Sequence, residues 1–228
     1  MDIDFTPFFK KYEAIRDMAD EAFARLQKEF PDCVKCKVKC ADCCHALFDL
    51  TLIEAIYLNH RSNQAFKGEK KDTLLERSSR ADRKIHMIKK QAFNDQKAGK
   101  NDVEILMNLA RERVRCALLN DEDMCDLYDY RPITCRLYGI PTSVEGISHT
   151  CGQSGFAAGQ KYPTVNLDII QKKLYEISAE FVGQIKTKYI KMAEMLMPVS
   201  MAILTDYDED YLGLKNPDES EAKQGAGK

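Results

Sequence analysis

The chain predicts a mainly α fold: a helical domain carrying a small β-hairpin and an irregular, cysteine-rich metal-binding region. Three observations predict it. Apolar residues recur at three- and four-residue steps in long segments toward both ends, the period of an amphipathic helix. Eight of the nine cysteines fall into two packed groups. Glycines and prolines crowd the stretch 132–164, which argues for irregular backbone there.

The elements follow in chain order. Phe5, Phe8, Phe9, Tyr12, Ile15, Ala19, Ala22, Phe23 and Leu26 form one stripe over a helix at 5–30, and Pro31 marks its stop. Thr51 with Glu54 three positions later is a capping box that opens a short helix over 52–60. Residues 61–71 are polar and read as a loop. A charged helix over 72–96 carries a narrow stripe of Leu75, Ala81, Ile85, Ile88 and Ala92, and 98–102 breaks it before another helix at 103–115. Between Cys116 and Leu127 an apolar pair, a polar turn at 120–123 and an apolar return predict a small hairpin with a cysteine at each end. Asn166 caps a long helix, with Asp168 favourably placed in its first turn. Its stripe is Leu167, Ile170, Leu174, Ile177, Phe181, Ile185 and Tyr189, and Pro198 ends or kinks it. The domain plan is therefore one unit over 1–213. A cysteine core at about 33–155 lies between flanking helices 5–30 and 166–197, and a polar tail over 214–228 reads as disordered.

Composition narrows the functional classes. A chain of 228 residues with 44% apolar residues can bury a sizeable core. Its formal net charge of −2 offers no overall field for nucleic acid or an anionic membrane. No apolar run approaches the ~18 residues of a spanning helix. The start, Met1-Asp2-Ile3-Asp4-Phe5, lacks a basic segment followed by an apolar one. A cytoplasmic location is expected on these grounds. Thiols stay reduced there, so clustered cysteines read as ligands ahead of disulfides.

The first cysteine group is Cys36-x3-Cys40-x2-Cys43-Cys44, with Cys33 just ahead of it; the second is Cys116, Cys125, Cys135 and Cys151. Thiolates are soft donors that select zinc, cuprous copper or iron–sulfur clusters. A core role is the bland alternative, since free cysteine packs as a small hydrophobe. If 33–44 were helical, its cysteines would share one face within an arc of roughly 100°. Yet Lys35, Lys37, Lys39 and Asp42 lie between them, and leucine or valine would bury more area. The expected ligands are thus Cys36, Cys40, Cys43, Cys44, Cys116, Cys125, Cys135 and Cys151. Four thiolates around a dicationic centre leave a charge of −2, whereas eight leave roughly −6, a costly burial. Either two centres exist, or one centre plus several protonated thiols. The adjacent pair Cys43-Cys44 points two ways in regular backbone, so one of the pair reaches another centre or is no ligand. Arg131 and Arg136 are the candidates for cofactor contacts that offset this charge. His45 and His149 read more simply as ordinary polar histidines, and Met192, Met195, Met197 and Met201 as core.

The order and spacing of these residues resemble the cysteine-cluster family named for a CxxCxxCC pattern, the YkgJ-like zinc- or iron-chelating domains. The resemblance rests on Cys36-x3-Cys40-x2-Cys43-Cys44, then Cys116, Cys125, Arg131-Pro132-x2-Cys135-Arg136 and Cys151, and covers roughly 33–155. Ala41 departs from it, standing where glycine is expected after the second cysteine. The resemblance implies metal or iron–sulfur binding. A related branch, the flagellin lysine N-methylases, joins a similar pattern to protein methylation. No Gly-rich strand-to-helix turn announces a nucleotide or S-adenosylmethionine site in this chain. Cys36, Cys40 and Cys43 also form a C-x3-C-x2-C triplet of the radical-enzyme type, without the alternating strand and helix pattern of a barrel around it.

The expectation that follows is a transition-metal-binding protein. The first candidate for its cofactor is a [4Fe–4S] iron–sulfur cluster, because the single cysteines spaced nine residues or more apart depart from a zinc ribbon. A redox, sensing or protein-modification role with a protein partner or substrate is expected. Structural zinc in a helical interaction scaffold is the alternative, and a lysine N-methylase-like enzyme a third reading.

Overall fold

The computed structural model describes residues 3–214. Among the described residues the architecture is mainly α, with seven helices and two small sheets. The expected tail at 214–228 lies, apart from Leu214, outside the described residues.

Helix α1 (Thr6–Glu29) buries the predicted stripe, with Phe8, Phe9, Tyr12, Ile15, Ala19 and Leu26 inside. Each large apolar side chain buried this way contributes about 1.5–3 kcal/mol. Strand β1 (Asp49–Thr51) leads into α2 (Leu52–Ala65). The capping box is present: Glu54 takes the backbone N–H of Thr51 at 3.2 Å. Every residue from Leu52 to Asn59 is buried, so the first two turns of α2 have no solvent face and α2 is the central helix. Helices α1, α6 and α7 all pack on it.

The structure corrects the loop expected at 61–71. α2 continues to Ala65, and α3 (Gly68–Lys97) begins after a break of two residues. Polar side chains misled the sequence reading. Arg61 reaches Glu13 on α1 at 3.0 Å, and Ser62 is buried, so tertiary partners keep the segment helical. α4 (Asp102–Arg111) starts where expected, on an Asn101 side chain that accepts from Val103 and Glu104 N–H, but ends four residues short of 115.

The predicted hairpin after Cys116 is present as a tight loop. Asn120 and Met124 are joined by a backbone bond of 2.9 Å, and Leu119 bridges Cys125. The stretch 132–164 is less irregular than expected. It holds α5 (Ile133–Leu137) and a second hairpin, β2 (Thr142–Val144) with β3 (Ile147–His149). The turn is Glu145-Gly146, both at positive φ, the geometry two-residue hairpins favour. Strand β4 (Val165–Asn166) then pairs in parallel with β2.

Asn166 caps α6 (Leu167–Ile185), accepting from Asp168 and Ile169 N–H as expected. The helix does not run to 197. Lys186 takes a left-handed conformation that ends it, and Tyr189 lies beyond it, half-exposed. Strand β5 (Leu196–Pro198) pairs antiparallel with β1, and α7 (Val199–Leu204) follows, so Pro198 precedes a helix and interrupts none. Met192 and Met197 are buried as expected, whereas Met201 is partly exposed. Among the described residues no helix is long and apolar enough to cross a membrane.

Candidate metal centre

The segment 33–44 is not a helix, so its cysteines do not form a helical stripe. It is a run of turns with Lys39 at φ +68°, ending in a 3-10 turn at Cys43–His45. The sharp bend falls at Lys39, one residue before Cys40, so the backbone reverses without a glycine at 41. Two main-chain contacts then fasten this segment to the start of the second group. Cys116 N–H donates to the Cys44 carbonyl at 2.7 Å, and Val114 N–H to that of His45 at 3.0 Å.

The other cysteines are brought in by separate devices. The loop around Asn120 returns the chain so that Cys125 lies across from Leu119. Cys135 rides on α5, whose first N–H, that of Ile133, donates to the Glu54 carboxylate at 3.2 Å. One buried side chain therefore caps the central helix and aims the helix that carries Cys135. Cys36 Sγ donates to the Tyr138 carbonyl at 3.4 Å, beside Gly139. Cys151 Sγ donates to Asp42 Oδ2 at 3.5 Å, and the same carboxylate receives Tyr138 Oη at 2.9 Å and Arg113 Nη2 at 2.5 Å. Asp42 and Tyr138 were missed as site residues by the sequence reading; Asp42 stood there only as a spacer between Cys40 and Cys43.

All nine cysteines are free thiols. Cys43, Cys44, Cys116, Cys125 and Cys135 line a small cavity of about 50 Å³. Cys36 and Cys40 line a larger one of about 550 Å³, whose floor again includes Cys43, Cys44, Cys125 and Cys135. Cys43 and Cys44, adjacent in sequence, lie 3.9 Å apart at sulfur. Cys33 lines neither cavity; its carbonyl accepts from Gly155 N–H at 2.8 Å. The expected meeting of residues near 40 with residues near 135 is found: Cys40 and Cys135 line the larger cavity together, and Cys43 and Cys135 line both. Among the described residues, no group of three His, Cys, Asp or Glu side chains is set to hold a single metal ion.

Electrostatics divide the thiols. Hydrogen bonds from Cys135 and then Cys44, together with the Arg131 charge, hold Cys43 far below the ordinary thiol value. Its two donors are pushed up in turn by the same bonds and by burial. Burial pushes Cys36 and Cys116 up to about 12, and raises Cys125 and Cys151. Such thiols stay protonated unless a cation arrives to hold the thiolate.

The two arginines differ. Arg136 is buried, with Nη1 on Asp20 at 2.6 Å, Nε on the Arg131 carbonyl at 2.9 Å and Nη2 on the Asp129 carbonyl. It pins α5 to α1 and faces the larger cavity from that fixed position. Arg131 lines both cavities, with its charge felt at Cys43 and Cys125. His45 Nδ1 sits 3.0 Å from the Ala41 carbonyl, and His149 is exposed on β3.

Comparison with protein-family models, curated proteins and solved structures returns no match for this chain.

Proposed function

We propose that this protein binds a transition-metal centre through its clustered cysteines, with a [4Fe–4S] cluster as the first candidate. The observation that carries the reading is the convergence of Cys43, Cys44, Cys116, Cys125 and Cys135, from four separate stretches of chain, around one small cavity. The donor set is all sulfur, which suits iron–sulfur chemistry. The fit in space also favours a cluster. A cavity of about 50 Å³ exceeds the ~10–15 Å³ that one water-sized sphere needs, so the thiols ring a volume and do not close on a point. A bound cluster would supply one-electron redox chemistry. The surrounding chain would supply a largely buried wall, the Arg131 charge and fixed thiol positions.

One observation favours structural zinc instead. Tetrahedral sulfurs ~2.3 Å from zinc lie ~3.8 Å apart, close to the 3.9 Å between Cys43 and Cys44. The deciding measurement is elemental analysis with a visible spectrum on protein purified without oxygen. Brown protein holding iron and sulfide supports the cluster. Colourless protein with stoichiometric zinc overturns the cluster and supports the scaffold. A redox, sensing or protein-modifying role rests on the first outcome.

A further inference from the structure

The larger cavity holds a guanidinium that no carboxylate among the described residues pairs with. Its volume of about 550 Å³ falls within the ~300–1,000 Å³ typical of small-molecule pockets. The sulfur wall forms its floor, and Phe23 from α1 and Tyr128 add apolar surface. Arg131 lies in its lining with the guanidinium carbon 4.0 Å from the Tyr128 ring centre. Stacking of this kind fixes the plane of the group and leaves its nitrogen edge free. Arg131 Nε is buried and meets no hydrogen-bond partner. Among the described residues Arg131 has no carboxylate partner either, whereas neighbouring arginines do: Arg136 has Asp20 and Arg113 has Asp42. At the same cavity stand Lys37 and Lys39, which form no ion pair among the described residues. Val38 between them is 75% exposed.

We infer that this cavity binds a small organic carboxylate, with Arg131 as its anchor. The terminal guanidinium nitrogens form no hydrogen bond among the described residues, so an acceptor on a ligand in the cavity would be their first partner. The planar fork of a guanidinium matches a carboxylate in two parallel bonds. A second carboxylate on the same ligand would face Lys37 and Lys39, which makes a dicarboxylate the best-fitting class. Apolar lining holds the carbon skeleton, which inorganic phosphate lacks. The inference uses the guanidinium, the two lysines and the cavity, and goes beyond the metal reading.

The test is calorimetric titration of the full chain with succinate and acetate, with inorganic phosphate as the comparison ligand. Succinate is expected to bind once per chain and more tightly than acetate or phosphate. Arg131→Lys keeps the charge and loses the fork, and weakens succinate about tenfold or more. Tyr128→Leu, which removes the stacking face and leaves Arg131 in place, weakens it as well. The Lys37→Ala/Lys39→Ala double variant flattens the salt dependence, because exposed charges are screened. No succinate binding, equal binding by Arg131→Lys, or tighter binding of phosphate overturns the inference. Metal content is measured on the same samples. Wild type purified without oxygen that holds no metal and still binds succinate would sink the metal proposal and leave this one standing. Metal-loaded protein that ignores succinate does the reverse.

Discussion

Asp42 and Cys151 are 109 residues apart in sequence and meet side chain to side chain, the thiol donating to the carboxylate at 3.5 Å. The same carboxylate is held by Arg113 and Tyr138, so three distant segments share one anion. Asp42→Ala should release the Cys151 loop. The expected result is faster alkylation of Cys151 in the reduced protein, read by mass spectrometry. The stability loss should be only about 1 kcal/mol, since Arg113 is substantially exposed and its pairing is screened.

The thiols do not carry equal weight. Cys135→Ser should lower metal content sharply, because Cys135 lines both cavities beside Cys43 and Cys44. Cys33→Ser should leave it unchanged, because Cys33 lines neither. Iron, zinc and sulfide analysis of the two variants side by side checks both. Equal metal in both would remove Cys135 from the ligand set.

Gly139 sits at φ +105°, where an added Cβ would collide with Cys36 Sγ. Gly139→Ala therefore meets two obstacles, a backbone conformation that L residues avoid and a collision with a candidate ligand. The backbone strain alone should cost about 1–3 kcal/mol. That lowers the thermal midpoint by roughly 2–4 °C per kcal/mol in a chain of this size. Displacement of Cys36 should appear as increased reactivity of that thiol. An unchanged midpoint would contradict the close packing of the 36 and 139 segments.

Burial pushes the Glu54 carboxyl above its ordinary value of 4.5, against the opposing pull of the Thr51 and Ile133 N–H groups. A folded-state value raised above the unfolded one gives stability that is full below the unfolded value and declines as pH rises through the folded one. Denaturant midpoints should thus fall from near pH 4.5 upward by a component that Glu54→Gln lacks. The variant is less stable at acid pH, having lost an acceptor for one of its three bonds, and the gap to wild type narrows toward neutral pH. His60 is common to both proteins and cancels in the difference. A gap that widens with pH would show that Glu54 is stabilised as the anion.

Local chemistry was readable where a side chain acts on its own neighbourhood. The α1 stripe, the Thr51–Glu54 capping box, the Asn166 cap and the loop at Asn120 all depend on partners within a few residues, and each is found. Failures occurred where distant partners decide. Arg61 and Ser62 look like loop residues until Glu13 and the core are beside them. The stripe leading to Tyr189 continues the helical period, yet Lys186 turns left-handed and ends α6 without a glycine. The Glu145-Gly146 turn had a usable signal in a glycine between two short alternating runs. The cysteine spacing was sufficient to expect that two remote segments meet. It was not sufficient to separate Arg131 from Arg136, because that difference is made by Asp20 on α1.

The bond from Cys116 N–H to the Cys44 carbonyl has a bearing on how such a centre would be assembled. Main chain, not sulfur, sets the two halves in register. If the proposed centre binds, it would do so between segments whose relative register this bond already sets. On the proposed reading, removing the metal would then loosen thiols more than backbone, and a chelator-treated sample would keep its helical signal while its cysteines gain reactivity.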